Sequence, residues 1–217
     1  MAAPPDDKAQ MSLTDPELPI MRTNNKGWDD CGKAQARVDG TCQILLACDV
    51  TDAPNDQPQA EPLAQAIQAN LAQAGIKRPT DESGAPQVIP ATLENGYDSA
   101  AAVEALATLG FDPYMATERH RHSTLEAEAS DPPTTAQERM AATVRTPEGR
   151  AVYARRKVIV EPGFGQIKAV RGFRRFVLRG LQKMRGEWSL VCLTPNLRKL
   201  WRYGCAPSVG AYEKGAL

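Results

Sequence analysis

Asp39-Gly40 stands between two stretches able to pair as strands, residues 34–38 and 44–50. An Asp-Gly pair in that setting is a strong local signal for a hairpin. The second arm reads Ile-Leu-Leu-Ala-Cys-Asp-Val and is nearly all apolar. Such a strand has no face to give to water, so both its faces need cover. A two-sided strand rules out a simple open meander and points to a sheet with helices packed on it.

The chain that follows supplies those helices. Residues 51–58 are a loop by composition. Leu63, Ile67 and Leu71 recur at helical spacing, and Gly75 ends the run. After a polar loop over 76–86, residues 88–93 read as a strand. Asp98 or Ser99 then caps a helix over 100–109 that Gly110 closes. Residues 111–117 form a further short strand, edge-like because of Pro113. The order is hairpin, helix, strand, helix, strand, which is an α/β pattern.

Five segments are expected: a Pro- and Asp-rich tail or linker over 1–30, a partial sheet with helices over 31–117, a polar insertion over 118–150, basic helices over 151–205 and a tail over 206–217. In the fourth segment, Tyr153, Val160, Phe164 and Ile167 can share one apolar helix stripe. A second helix is expected over 178–203, with a possible break at Pro195. Trp188, Leu190, Val191 and Leu193 form an apolar run that places Trp188, Trp201 and Tyr203 in helix core rather than in base stacking.

Charge is unevenly placed. Residues 1–144 hold 10 Lys/Arg against 22 Asp/Glu, and residues 145–217 hold 16 against 4. Either the basic end meets a polyanion or the two parts neutralise each other within the molecule. Five cysteines in an odd, non-CxxC arrangement fit reduced thiols in a cytoplasmic protein, with no membrane involvement. His120 and His122 form an H-x-H pair in the polar insertion, where a solvated role is expected.

Glu161 and Lys168 lie seven residues apart, within about 20° of each other on a helix, and Lys157 is one turn before Glu161. A carboxylate between basic groups suits a divalent metal with phosphate held alongside. The same pattern also describes a solvated face with i,i+4 ion pairs. Pro162 requires either a kink or a new helix at Glu161. Arg171, Arg174, Arg175 and Arg179 fall within nine residues and are candidates for phosphate contacts.

The stretch Arg155-Arg-Lys-Val-Ile-Val-Glu-Pro-Gly-Phe-Gly-Gln-Ile-Lys168, then Arg171-Gly-Phe-Arg-Arg-Phe, then Gly186-Glu-Trp-Ser-Leu-Val-Cys-Leu-Thr-Pro-Asn, resembles the C-terminal region of DDE transposases of bacterial insertion sequences. Residues 14–21, 49–56 and 95–99 resemble the same family in the same order. The resemblance implies an RNase H-like fold with three metal-binding acids, Mg²⁺ or Mn²⁺ as cofactor, and transposon-end and target DNA as partners. Glu161 matches the third acid, with Tyr153, Arg156 and Lys168 as its signature companions. Glu94 stands where the family has its second acid, an Asp. Lys157 and the Arg171–Arg179 group join Arg156 and Lys168 as expected DNA contacts.

Asp39 resembles the first acid, yet its neighbours align with the hairpin turn, and the turn is the favoured reading. The first strand and first acid are then missing. The expectation is an incomplete RNase H-like α/β domain, a mixed sheet with flanking helices, followed by a basic helical segment. It is read as the C-terminal part of a transposase, inactive in DNA cleavage alone and located with the nucleoid. The alternative is a non-catalytic remnant that binds DNA or regulates by joining full-length transposase as an oligomer.

Overall fold

The computed structural model describes residues 12–22, 27–116 and 133–204. Among them are six strands and five α-helices: β1 Ile20–Arg22, β2 Trp28–Asp30, β3 Lys33–Val38, β4 Leu45–Thr51, α1 Ala60–Gln73, β5 Ile89–Thr92, α2 Ala100–Thr108, β6 Phe111–Tyr114, α3 Ala136–Arg145, α4 Pro147–Gly165 and α5 Leu181–Gly204. The described residues are mixed α/β with three small two-stranded sheets, β1-β2, β3-β4 and β5-β6.

The Asp39-Gly40 hairpin forms. β3 and β4 run antiparallel, with a bulge between Arg37 and Val38. The Asp39 carboxylate accepts from the N–H groups of Thr41 at 3.1 Å and Cys42 at 2.6 Å, and Asp39 N–H donates to the Ile44 carbonyl at 2.8 Å. Asp39 therefore shapes the turn. β4 buries Leu45, Ala47 and Val50, and both α1 and α5 pack on it. Its apolar composition has that physical cause.

β5 and β6 are parallel, joined through α2. Ser99 caps α2 by accepting from Ala102 N–H at 3.1 Å, and Gly110 takes the positive φ of +76° that ends it. One apolar cluster gathers Leu63's neighbours Ala60 and Ala64 with Leu93, Val103, Leu106, Phe111, Met115 and Met140. A second joins Leu18, Ala36, Leu45, Val50, Ile167, Met184, Trp188 and Cys192.

Three expectations need correction. Residues 12–30 are not a free tail: Leu18 is buried, and the Asp15 carboxylate accepts from Gly180 N–H at 2.7 Å, just ahead of α5. Negative charge there also suits a helix N-terminus. The polar stretch over 118–150 is helical from Ala136 onward, because Thr135 and Glu138 form a reciprocal capping box and Met140 enters the first core. Hydrogen bonds from the Thr135 and Thr134 N–H groups hold the Glu138 carboxyl down to about 2. The part of that stretch over 117–132, including His120 and His122, lies outside the described residues. Trp188 is buried as expected, but Trp201, Leu190 and Leu193 are exposed on α5, since only one face of a helix can meet the hairpin.

Neither Pro162 nor Pro195 breaks its helix. A helical proline leaves the carbonyl four residues earlier without its N–H partner. For Pro162 that carbonyl is Val158, which accepts from the Gln43 side chain at 3.0 Å. For Pro195 it is Val191, which accepts from the Thr194 hydroxyl at 2.9 Å. α4 passes directly into a π-helical segment, Gln166–Val170.

α5 is fastened to the hairpin by side chains that bond main-chain groups. The Asn196 amide accepts from Leu45 N–H and donates to Leu45 C=O, both at 2.8 Å. Trp188 Nε1 donates to Gln35 C=O at 2.8 Å, Arg185 Nε to Val50 C=O at 3.0 Å, and Lys199 Nζ to Gln43 C=O. Asn196→Ala leaves both Leu45 groups unpaired, so urea denaturation should show a loss of about 2–4 kcal/mol. A loss under about 0.5 kcal/mol would mean that water replaces the amide at no cost.

Cys48 on β4 meets Cys192 on α5. A hydrogen bond from the Cys192 thiol draws Cys48 down to about 7, against the effect of burial, with Ser189 assisting. The same bond and burial push Cys192 up. The Cys48 thiolate forms as pH rises through about 7. Iodoacetamide labelling followed by mass spectrometry should therefore rise around that pH for Cys48 while Cys192 stays unmodified. An inflection that follows an ordinary free thiol at higher pH contradicts the pairing.

Candidate functional site

A cleft of about 2240 Å³ runs between β3, β5, α1, α4 and the segment before α5. Glu94 lies at its edge, in extended conformation just after β5 and at the start of the 3₁₀ turn Asn95–Tyr97. Arg156 on α4 donates to the Glu94 carboxylate at 2.8 Å. The Arg156 guanidinium lies over the Tyr153 ring at 5.7 Å, one turn earlier on the helix. One expected signature residue, Arg156, thus meets the expected second acid, and another, Tyr153, packs against its guanidinium.

Beside them is a group that spacing did not reveal. Arg37 on β3 lies 4.5 Å from the Tyr97 ring centroid. The buried Tyr97 hydroxyl donates to the Gln35 side chain, and burial raises its pKa. Gln35 Nε2 and Lys33 Nζ both donate to Asp56, at 2.9 and 3.3 Å. Tyr97 belongs to the Asn-Gly-Tyr motif, so its place was signalled. Arg37 and Asp56 carry no local pattern, because they meet only through the fold. Arg37 Nη2 and Arg156 Nε are buried with no hydrogen-bond partner among the described residues.

The basic residues divide. Lys168, Arg174, Arg175 and Arg179 line the cleft, whereas Lys157 and Arg171 do not. Lys168 lies on the π-helical segment with its ammonium 5.5 Å from the Phe164 ring centroid. The loop bearing the arginines is built on alternation. Phe173 and Phe176 turn inward against Trp188, with ring centroids at 6.1 and 6.4 Å, and Arg174 and Arg175 between them stay exposed. The Glu187 carboxylate accepts from Val177 and Leu178 N–H at 3.0 Å, which fixes the loop's far side. None of the four arginines forms an ion pair with another described residue.

Glu161 is exposed on α4 and does not line the cleft. Among the described residues, no three His, Cys, Asp or Glu side chains come together as a metal site. Glu94 is engaged by Arg156 and Asp39 by its own turn. The acids present therefore do not fit a resident pair of divalent metals, and no metal-dependent step follows from them. No helix is long and apolar enough to cross a membrane among the described residues.

Residues 115–201 match a family model described as the transposase DDE domain. This stretch is similar to the DDE domain of transposases. It takes in α3, α4, the π-helical segment, the arginine loop and nearly all of α5, so the transposase match falls on the basic part of the chain. No curated protein and no solved structure matched the chain.

The Glu94–Arg156 pair joins β5 to α4 but is wet on one side, with Glu94 67% and Arg156 18% exposed. Its coupling in a Glu94→Gln/Arg156→Gln double-mutant cycle is expected to be about 1 kcal/mol. A coupling near zero would remove the pair as the link between these elements.

Proposed function

We propose that this chain is a DNA-binding part of a DDE transposase that does not cleave DNA by itself. The observation that carries the reading is the arginine loop: Arg174, Arg175 and Arg179 line one cleft, without internal ion pairs among the described residues, on a backbone pinned by Phe173, Phe176 and Glu187. Guanidinium groups held this way suit phosphate oxygens of a nucleic-acid backbone. The surplus of basic residues after residue 144 supports the same partner.

Within this reading, β3, β4, β5 and β6 with helices around them are parts of an RNase H-like sheet. Transposon-end and target DNA are the substrates, and Mg²⁺ or Mn²⁺ belongs to the family's complete set of acids. Glu161 keeps the sequence position of the third acid, and Glu94 that of the second. Their present surroundings support binding without cleavage. The protein acts where DNA is, in the cytoplasm at the nucleoid.

The test is duplex binding over a salt series together with cleavage in Mg²⁺ or Mn²⁺. Binding should weaken steeply with salt, and replacing Arg174, Arg175 and Arg179 together by Ala should lower the salt slope by about one per arginine. An unchanged slope removes DNA from this loop. Cleavage that disappears in Glu161→Gln would overturn the non-cleaving part of the proposal.

A further inference from the structure

We propose that Cys48 and Cys192 are a site of reversible oxidation, where hydrogen peroxide converts the two thiols to a disulfide that locks α5 onto the hairpin. The register of α5 on β4 is the first reason. Asn196 bonds Leu45, Ser189 Oγ lies 4.0 Å from Cys48 Sγ, and Arg185 Nε bonds Val50 C=O. Residue numbers fall along the helix as they rise along the strand, so the two run antiparallel. Cys192 stands one helical turn from both Trp188 and Asn196, on the face that meets the hairpin. That turn of α5 lies against the middle of β4, where Cys48 is. Cys192 is a buried member of the second apolar cluster, and Cys48 packs against that cluster.

Burial divides the roles. Cys192 is 3% exposed, whereas Cys48 is only partly buried, so an oxidant from solvent reaches Cys48 first. Reactivity runs the same way, because the thiolate is the form that attacks peroxide. The hydrogen bond from Cys192 favours the Cys48 thiolate, with Ser189 assisting. Cys31, by contrast, is held above the ordinary thiol value by burial and by the Asp29 and Asp30 carboxylates.

The chemistry needs only peroxide. The Cys48 thiolate attacks one peroxide oxygen and the O–O bond breaks. The released hydroxide recovers the proton that Cys48 gave up and leaves as water. Cys48 is then a sulfenic acid. The Cys192 sulfur attacks the Cys48 sulfur, the S–O bond breaks, and the hydroxyl leaves as water with the Cys192 proton. Two thiols are oxidised to one disulfide, one peroxide is reduced to two waters, and a dithiol reductant reverses the change. In a reducing compartment disulfides are usually transient and redox-sensing. More than half of the chain separates the two cysteines, so the bond greatly restricts the unfolded state. The inference concerns the α5–hairpin contact and does not depend on DNA binding.

The experiment treats the full chain with hydrogen peroxide, blocks it with N-ethylmaleimide and digests it without reduction. Mass spectrometry of monomeric protein should find a peptide joining Cys48 to Cys192, and dithiothreitol should remove it. Its rate of formation should rise about tenfold from about pH 6 to about pH 8, as for a thiol titrating at about 7. A rise closer to a hundredfold, the behaviour of an ordinary thiol, overturns Cys48 as the attacking thiolate. The oxidised chain should unfold at higher urea than the reduced chain, a shift that Cys48→Ser abolishes. Cys192→Ser should stop at a Cys48 sulfenic acid that dimedone traps. Should that variant fail to fold, the linkage map of the unaltered chain decides. A disulfide from Cys48 to Cys31, to Cys42 or to a second chain overturns the proposal. So does oxidation of Cys48 beyond the sulfenic acid while Cys192 keeps its thiol, or a linked chain that unfolds at lower urea.

Discussion

The docking of α5 on the β3-β4 hairpin is the contact on which the second core depends. A two-stranded ribbon alone in water is marginal, since it has one partner per strand and little buried area. Here Trp188 fills the space over the hairpin and its indole N–H bonds Gln35 C=O, so the largest buried side chain leaves no polar atom stranded. Asn196 acts on Leu45 as a neighbouring strand residue would, offering one donor and one acceptor. Phe164, Phe173 and Phe176 then pack around Trp188 and bring the arginine loop to the cleft. The placement of the basic residues follows from an apolar contact.

Proline handling determines where the Glu161 region goes. A kink at Pro162 would have turned Lys168 and Phe164 away from the hairpin. Instead, Gln43 supplies the missing donor to Val158 C=O, and α4 continues into the π-helical segment. Gln43 has a φ of +56°, in the left-handed region that L side chains seldom occupy, at a cost of about 1–3 kcal/mol. Its side chain reaches α4 and its carbonyl takes Lys199 of α5. One strained turn residue thus joins three elements, which accounts for the strain being tolerated.

Much of the α/β framework was legible in the sequence. The Asp39-Gly40 turn, the periodic leucines of α1, the Ser99 cap and the Gly110 stop all act through neighbours close in the chain. The transposase resemblance rested on ordered motifs, and the family match falls on residues 115–201, where the longest of them lie. Most of what escaped sequence reading was long-range, with one local exception. Polar composition around 136–150 concealed a capping box and the buried Met140. The Asp15 contact with Gly180 spans 165 residues. The Arg37–Tyr97 stack and the Asp56 contacts arise from the fold, with no local period to announce them. That Glu161 is exposed and absent from the cleft lining could be read only in three dimensions.

The α5–hairpin bonds have an asymmetric consequence for sequence variation. Trp188, Arg185, Asn196 and Lys199 all address backbone atoms of the hairpin, which every residue except proline presents alike. The recognised partner is therefore a conformation rather than a set of side chains. The hairpin can exchange one apolar residue for another and remain readable to α5, whereas the helix has far less freedom at its four reading positions. Drift should accumulate on the strand side of this contact, with the helix side holding a nearly fixed alphabet.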